Sequence, residues 1–394
     1  MAKIQAINDM AMSRISFHFS NTYFPMKTLG DLEDKMVKKV RDWFHLNTSS
    51  NRDIMFLPRR KGGMGILSPM TTYVSKRLAF LLQMLNSDDP QTRLCARSSF
   101  QLHMDKRKAI NHDGEQHYST FGTYATDEAG RVIKRGRVNW PRSIWVELNE
   151  LCIHEHLQLE FTNDTYPMVA EQEGVQLVFR SHKALSIYIK QTHANVRVQR
   201  LHSLKSQGRI SKNGSNQAIS SAYLTNLTLT DQLTRFIFKS RMQLLECNSL
   251  MNLYYPDSYQ KSCSFCNNPS GTVSHAMNGC MRFRNCYVSR HDRIVSIIEE
   301  EIQKKHPNVI IHNNKITTGD MFGAQPHVNF RCIQHRTPDL LLCDQRSRKS
   351  FLIEISCPFD AFINKTYESK FQKYQPLNEL ITLDTVTLVK LLSS

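Results

Sequence analysis

The sequence predicts an α+β fold: mainly helical over its N-terminal two-thirds, then a Cys/His cluster, then a small α/β domain with a mixed sheet flanked by helices. Three observations carry this expectation. Apolar residues recur at helical spacing in several stretches before residue 255. Three cysteines and a histidine crowd into residues 263–280. Two short apolar runs between 339 and 355 flank a polar turn, with helical patterns on either side. The expected domains are 1–90 (helical), 91–254 (basic and helical), 255–288 (the Cys/His cluster) and 289–394 (the α/β domain).

Composition narrows the class of partner. Of the 394 residues, 40% are hydrophobic and 22% charged, which suits a packed core and excludes wholesale disorder. Lys and Arg number 51 against 35 Asp and Glu, a net charge of +16 that points to a polyanion, nucleic acid first. No apolar run is long enough for a transmembrane helix, and the start of the chain has no apolar core of a secretory signal, so no membrane partner is expected. Ten cysteines in a chain this long, four metal-like ligands being clustered, favour a reducing compartment and a metal site over a disulfide framework.

Taken in order, LGDLEDKMVKKVRDWFHL (29–46) places Leu29, Leu32, Met36, Val37, Val40, Trp43 and Phe44 on one helical stripe. IMFLPRRKGGMGIL follows: a strand-like apolar run, the cations Arg59, Arg60 and Lys61, then a glycine turn. A second helix is expected over about 70–86, on Leu78, Leu81, Leu82 and Leu85. Residues 86–142 are polar and mixed, with a short hairpin expected in YATDEAGRVIKRG. Pro141 and Ser143 open a further helix carrying Ile144, Trp145, Leu148, Leu151 and Cys152, and 163–167 reads as a loop.

Residues 180–241 are the most lopsided stretch. Eleven Lys and Arg stand against Asp231 alone, a net +10, and the pattern is predominantly helical around the polar loop SQGRISKNGSN. Like charges at this density repel unless an anion lies among them. The expected nucleic-acid contacts are Arg197, Arg200, Lys205, Arg209, Lys212, Arg235, Lys239 and Arg241, together with Arg59, Arg60 and Lys61.

CSFCNNPSGTVSHAMNGC (263–280) spaces Cys263, Cys266, His275 and Cys280 as C-x2-C-x8-H-x4-C. A C-x2-C pair sets two thiolates on one tight turn, and His275 and Cys280 lie about one helical turn apart. Three thiolates and an imidazole close a tetrahedral structural Zn²⁺ site with no open position for catalysis. Cys286 falls outside the pattern.

RTPDLLLCDQRSRKSFLIEISCPFD (336–360) reads as two strands, Asp339–Cys343 and Phe351–Ile355, around a polar turn. Asp339 follows Pro338, and Glu354 comes after fourteen intervening residues, inside an apolar run. A carboxylate there is costly to bury unless it meets a cation or another partner. Two carboxylates converging from adjacent strands suit Mg²⁺ or Mn²⁺, which takes oxygen ligands and can activate water for phosphodiester cleavage. This is the PD…(D/E)xK pattern of restriction-like nucleases with one departure: Ser356 stands where the lysine is expected. In NKTYESKFQKYQPL, Tyr367, Lys370, Phe371 and Tyr374 fall at i, i+3, i+4 and i+7, so Lys370 and Tyr374 share a helical face that can supply the missing cation. Lys365 and Lys373 are the alternatives. The helical segment 290–305, with Ile294, Ile298 and Ile302 on one face, offers Glu299, Glu300 or Glu301 as a further acid.

The order of these parts resembles the C-terminal portion of the polyprotein of non-LTR retrotransposons of the site-specific, rDNA-type group, which carry a restriction-like endonuclease. VRDWFHL…IMFLPRRKGGMGIL looks like the reverse-transcriptase thumb. LKSQGRI and FIFKSRMQLLECNSLMNLYYP look like the linker, CSFC…SHAMNGC with RHDRIVSII like the CCHC knuckle, and RTPDLLL…FLIEISCPFD…YESKFQKYQPL like the nuclease core. The resemblance implies target-site nicking of DNA, a divalent metal on Asp339 and Glu354, and support of cleavage by Lys370 and Tyr374. It also implies a zinc-bound knuckle that grips DNA and RNA, nuclear action, and partnership with a polymerase-bearing subunit or full-length element protein. No YxDD-type pair occurs, so reverse-transcriptase activity is not expected of this chain. The alternative reading is an inert nucleic-acid-binding remnant.

Overall fold

The structure is a computed structural model describing residues 2–109, 121–122, 143–162, 164–208, 212, 221–226, 228–313, 338–344, 349–358, 362–381 and 386–392. The hairpin expected in YATDEAGRVIKRG and the candidate Arg209 lie outside these residues. The chain divides into two compact units, Met1–Ser203 with Leu224–Asn226, and Leu204–Tyr223 with Leu227–Ser394. Among the described residues no helix is long and apolar enough to cross a membrane.

In the first unit, α1 (Ala2–Ala6) and α2 (Ser13–Asn21) flank a π-helical stretch, Ile7–Met12. Then come α3 (Met26–Phe44), α4 (Asp53–Phe56), α5 (Pro69–Leu85), α6 (Pro90–Ala109), α7 (Ile144–His154) and α8 (His182–His202). A three-stranded antiparallel sheet, β1 (Leu157–Leu159), β2 (Met168–Gln172) and β3 (Val175–Phe179), is inserted between α7 and α8. Helix α5 is the centre of the core. Its side chains Tyr73, Val74, Leu78, Leu81, Leu82 and Leu85 are all at most 1% exposed. Ser68 caps it by accepting from Thr71 N, with Pro69 in the first turn. Ser143 caps α7 in the same way, accepting from Val146 N.

Three local expectations need correcting. The strand-like run after Arg52 is helix α4, because Asn51 Oδ1 accepts from Asp53 N (2.7 Å) and Ile54 N (3.3 Å) and starts a turn. The polar 86–142 segment begins with the 20-residue α6, started by Asp89 accepting from Thr92 N at 2.8 Å. The mainly helical first two-thirds also contains the β1–β3 sheet. Its β2–β3 turn places Glu173 (φ 53) and Gly174 (φ 77) in the left-handed region, the conformation of a two-residue hairpin loop.

The second unit runs α9 (Asp231–Arg241), α10 (Asn248–Tyr254), α11 (Val273–Asn278), α12 (Arg284–Lys305), β4 (Val309–Asn313), β5 (Leu340–Asp344), β6 (Lys349–Ser356), α13 (Ile363–Ile381) and β7 (Val386–Leu392). The sheet order is β4-β5-β6-β7. β4–β5 and β5–β6 are antiparallel and β6–β7 is parallel, so the sheet is mixed. Val295 of α12, with Ile294, Ile298 and Ile302, packs against Leu340, Leu342, Ile353 and Ile355 of the sheet.

Candidate functional site

The Cys/His cluster is built by three short backbone devices. Cys263 N donates to Asn268 O (2.7 Å) and Asn267 N to Cys263 O (3.0 Å), with Asn267 at φ 56, so the chain folds back around the C-x2-C pair. Thr272 caps α11 by accepting from His275 N at 3.1 Å, which fixes His275 in the first turn. Gly271 allows the close approach between these halves: a Cβ there would lie 2.8 Å from Ser262 O.

The ligand atoms of Cys263, Cys266, His275 and Cys280 all lie within 4.8 Å of one another. Cys263 Sγ is 4.0 Å from Cys280 Sγ, and Cys266 Sγ is 3.2 Å from His275 Nε2. Tetrahedral Zn²⁺ with Zn–S bonds of about 2.3 Å requires sulfur–sulfur edges of about 3.8 Å, so the donor set fits a metal such as zinc. Burial opposes a thiolate at Cys263, but the N–H groups of Phe265 and Cys266 and the neighbouring thiols outweigh it and lower the Cys263 pKa. Cys286 is exposed and outside the cluster.

Tyr287 and Arg290 of α12 brace this knuckle. Tyr287 Oη accepts from Cys280 N (3.0 Å) and donates to Ala276 O (2.7 Å). Arg290 Nη2 donates to Asn278 Oδ1 (2.8 Å) and to Cys357 O beyond β6 (3.4 Å), tying the knuckle to the end of the sheet.

The acidic pair sits at that end. Leu340 pairs with Ile353 across β5 and β6, so the register carries Asp339 opposite Glu354. Asp339 Oδ2 accepts from Ile355 N at 2.6 Å. Glu354 Oε1 accepts from Lys370 Nζ of α13, and its buried Oε2 has no hydrogen-bond partner. Tyr374, 1% exposed, lies one turn beyond Lys370. Burial and the carboxylates of Glu354 and Asp339 drive its phenol pKa upward. Lys373 Nζ donates to Tyr374 Oη at 2.7 Å. The sequence-predicted Asp339, Glu354, Lys370 and Tyr374 are thus brought together.

The expected helix acids are not. Glu301 pairs with Lys304 (3.8 Å) and Lys305 (4.0 Å) on the exposed side of α12. Glu299, Glu300 and Glu301 lie eight to ten residues along α12 from the turn facing the pair, about 12–15 Å. The residue at that turn is His291, which the sequence reading missed. Its Nε2 is 3.3 Å from Asp339 Oδ2 and 3.2 Å from Ile355 O, and its Nδ1 is 3.1 Å from Asp292 Oδ1. Burial disfavours the imidazolium, but Asp292, Asp339 and the Ile355 carbonyl outweigh that and raise the His291 pKa. Among the described residues, the Cys/His set is the one group of three or more such side chains that lies close enough to hold a metal.

The basic candidates divide. Arg197 is an internal group: its side chain is 12% exposed, 3.6 Å from Glu33 and 3.8 Å from Asp53, and stacks over Phe56. It is removed from the expected surface contacts. Lys61 Nζ donates to Asn195 Oδ1 at 2.5 Å, and Arg59 Nε to Met64 O at 3.4 Å. Lys239, with a 17% exposed side chain, lies 3.9 Å from Glu246, and Arg241 stacks over Tyr223. Arg235 donates to Asp231 O. Arg60, Arg200, Lys205 and Lys212 are exposed. Comparison with protein-family models and with curated proteins finds no match to this chain.

Proposed function

We propose that the chain is a metal-dependent DNA endonuclease related to the restriction-like nucleases of non-LTR retrotransposons, acting in the nucleus with its zinc knuckle and exposed cations on nucleic acid. The observation that carries this is the meeting of Asp339 and Glu354 across two paired strands, with Lys370 donating to Glu354. Glu354 Oε2 supports it as a buried carboxylate oxygen without a protein partner, the kind of atom that a cation satisfies. Asp339 and Glu354 would hold Mg²⁺ or Mn²⁺, which supplies an activated water and stabilises charge on the leaving oxygen. Lys370 fills the role that Ser356 leaves open, orienting the attacking water and offsetting phosphate charge. Tyr374 keeps its proton and holds the carboxylate in place.

A second reading, an inert nucleic-acid-binding remnant, draws on Ser356 and on the Lys370–Glu354 pair, which neutralises the site internally. Supercoiled plasmid incubated with the chain and Mg²⁺ or Mn²⁺ separates the two. The endonuclease reading expects nicking by the wild type and none by Asp339→Ala. Absence of nicking by the wild type with either metal favours the remnant.

A further inference from the structure

A cation-lined cavity of about 440 Å³ opens between α5 and α8 in the first unit, a volume in the range of small-ligand sites. One face of α5 supplies Lys76, Phe80 and Gln83, and the first turns of α8 supply His182, Lys183 and Ile187. Among the described residues no acidic side chain lines it. The Lys76 ammonium donates to a neutral group, Ser16 Oγ, at 3.2 Å. Lys190, two turns along α8 from Lys183, has its pKa lowered by partial burial and then by repulsion from Lys76, so the positive charges crowd one another. The 21-residue α8 begins at the cavity, and its N-cap Ser181 makes no side-chain cap bond, which adds the positive end of a helix dipole. Phe80 and the 56% exposed Ile187 give the same cavity an apolar wall. Two lining lysines with no lining acid, beside an apolar wall, match a phosphate joined to a base.

We propose that this cavity binds one nucleotide of a single-stranded nucleic acid, with Lys76 and Lys183 on the phosphodiester and Phe80 and Ile187 against the base. The proposal rests on the reading that the chain binds nucleic acid, and is independent of cleavage. A paired base in a duplex cannot enter such a cavity, so the single strand is the favoured form.

The test is fluorescence anisotropy with the full chain and a labelled single-stranded oligonucleotide over a salt series. Inorganic phosphate, a nucleoside monophosphate and an acidic peptide serve as competitors. The double variant K76Q/K183Q is expected to weaken binding at least about tenfold and to reduce the salt slope by about 1.4, roughly 0.7 for each lost phosphate contact. K183E, at an exposed position, is expected to weaken binding without altering the thermal melt, which separates a binding defect from misfolding. K304Q, at a lysine 78% exposed on α12, serves as the charge control. Binding by K76Q/K183Q equal to that of K304Q overturns the proposal, as does the absence of oligonucleotide binding by the wild type. Displacement by inorganic phosphate, by the monophosphate or by the acidic peptide at concentrations matching the oligonucleotide also overturns it, assigning the cavity to that ligand instead. Oligonucleotide binding by the wild type, weakened in K76Q/K183Q, together with no plasmid nicking by the wild type with either metal shows the nuclease reading failing without this one.

Discussion

Lys370 and Glu354 show how much one side chain can decide. Lys370 approaches Glu354 from a helix rather than from the strand position two residues on, where Ser356 stands. Lys370→Met is expected to lower plasmid nicking at least about 100-fold, in the range of a lost preorganised electrostatic contact, while bound zinc is unchanged. Nicking rate and metal content measured on the same preparation check this. In the first unit, Glu155 accepts from His193 Nε2 (2.8 Å) and lies 2.9 Å from His154 Nδ1. Burial alone would raise its pKa, but the two histidines outweigh burial and lower it. A carboxylate depressed on folding contributes stability above its unfolded pKa, about 4.3, and loses that contribution as pH falls through the folded value. Glu155→Gln is therefore expected to cost about 1–2 kcal/mol near neutral pH, with the difference from wild type closing in acid. Urea unfolding followed by tryptophan fluorescence at several pH values measures it.

His291 and Arg197 mark the limits of reading single residues from sequence. His291 stands three and four residues before Ile294 and Val295, on the apolar stripe that packs against the sheet. That spacing is a usable signal beside the more conspicuous Glu299–Glu301 run, in which Glu300 and Glu301 are exposed and half-buried Glu299 sits two turns along the helix from His291. Arg197 carried no such signal. Its acid partners Glu33 and Asp53 are more than 140 residues away in sequence, so only tertiary packing turns a surface cation into an internal one.

At the scale of elements, the local motifs were legible and the long-range ones were not. The C-x2-C turn and the His275 helix form from contacts within twenty residues, and the β5–β6 register follows from a single hairpin. Helix α6 escaped because its core stripe is narrow, Ala96, Phe100 and Met104 at strict four-residue spacing, while its leucines, Leu94 and Leu102, are exposed and off that stripe. The β1–β3 sheet escaped because β3 leaves Val175 and Val178 exposed and so lacks a clean alternation. The knuckle is expected to depend on its metal as a unit. If the cluster holds zinc, elemental analysis is expected to find one zinc per chain in the wild type and none in Cys266→Ser, which should also expose Tyr287 and Arg290 by loosening the 276–280 segment they hold.

For the whole molecule, each unit has its own core, and the first also has a buried electrostatic keystone. That keystone is Arg77, whose Nε and Nη2 donate to Glu147 at 2.9 and 2.5 Å while Nη1 donates to Ser20 O at 2.6 Å. Tyr73 donates to the same carboxylate. The pair is almost wholly buried, with side-chain exposures of 3% and 10%. Glu147→Ala leaves an uncompensated buried guanidinium and is expected to cost about 3–5 kcal/mol, read as a lower urea midpoint for the first unit. On the proposed nucleic-acid-binding reading, the net charge of +16 predicts an affinity that falls steeply with salt, checked by anisotropy over a salt series.

The claim at the centre is that Asp339 and Glu354 together grip a divalent cation distinct from the knuckle's metal. Manganese titration of the zinc-loaded chain, followed by electron paramagnetic resonance, tests it without requiring turnover. One Mn²⁺ site is expected in the wild type, and it should disappear in Asp339→Asn and in Glu354→Gln, with zinc retained in both. Manganese binding of equal stoichiometry and affinity in all three proteins would contradict it.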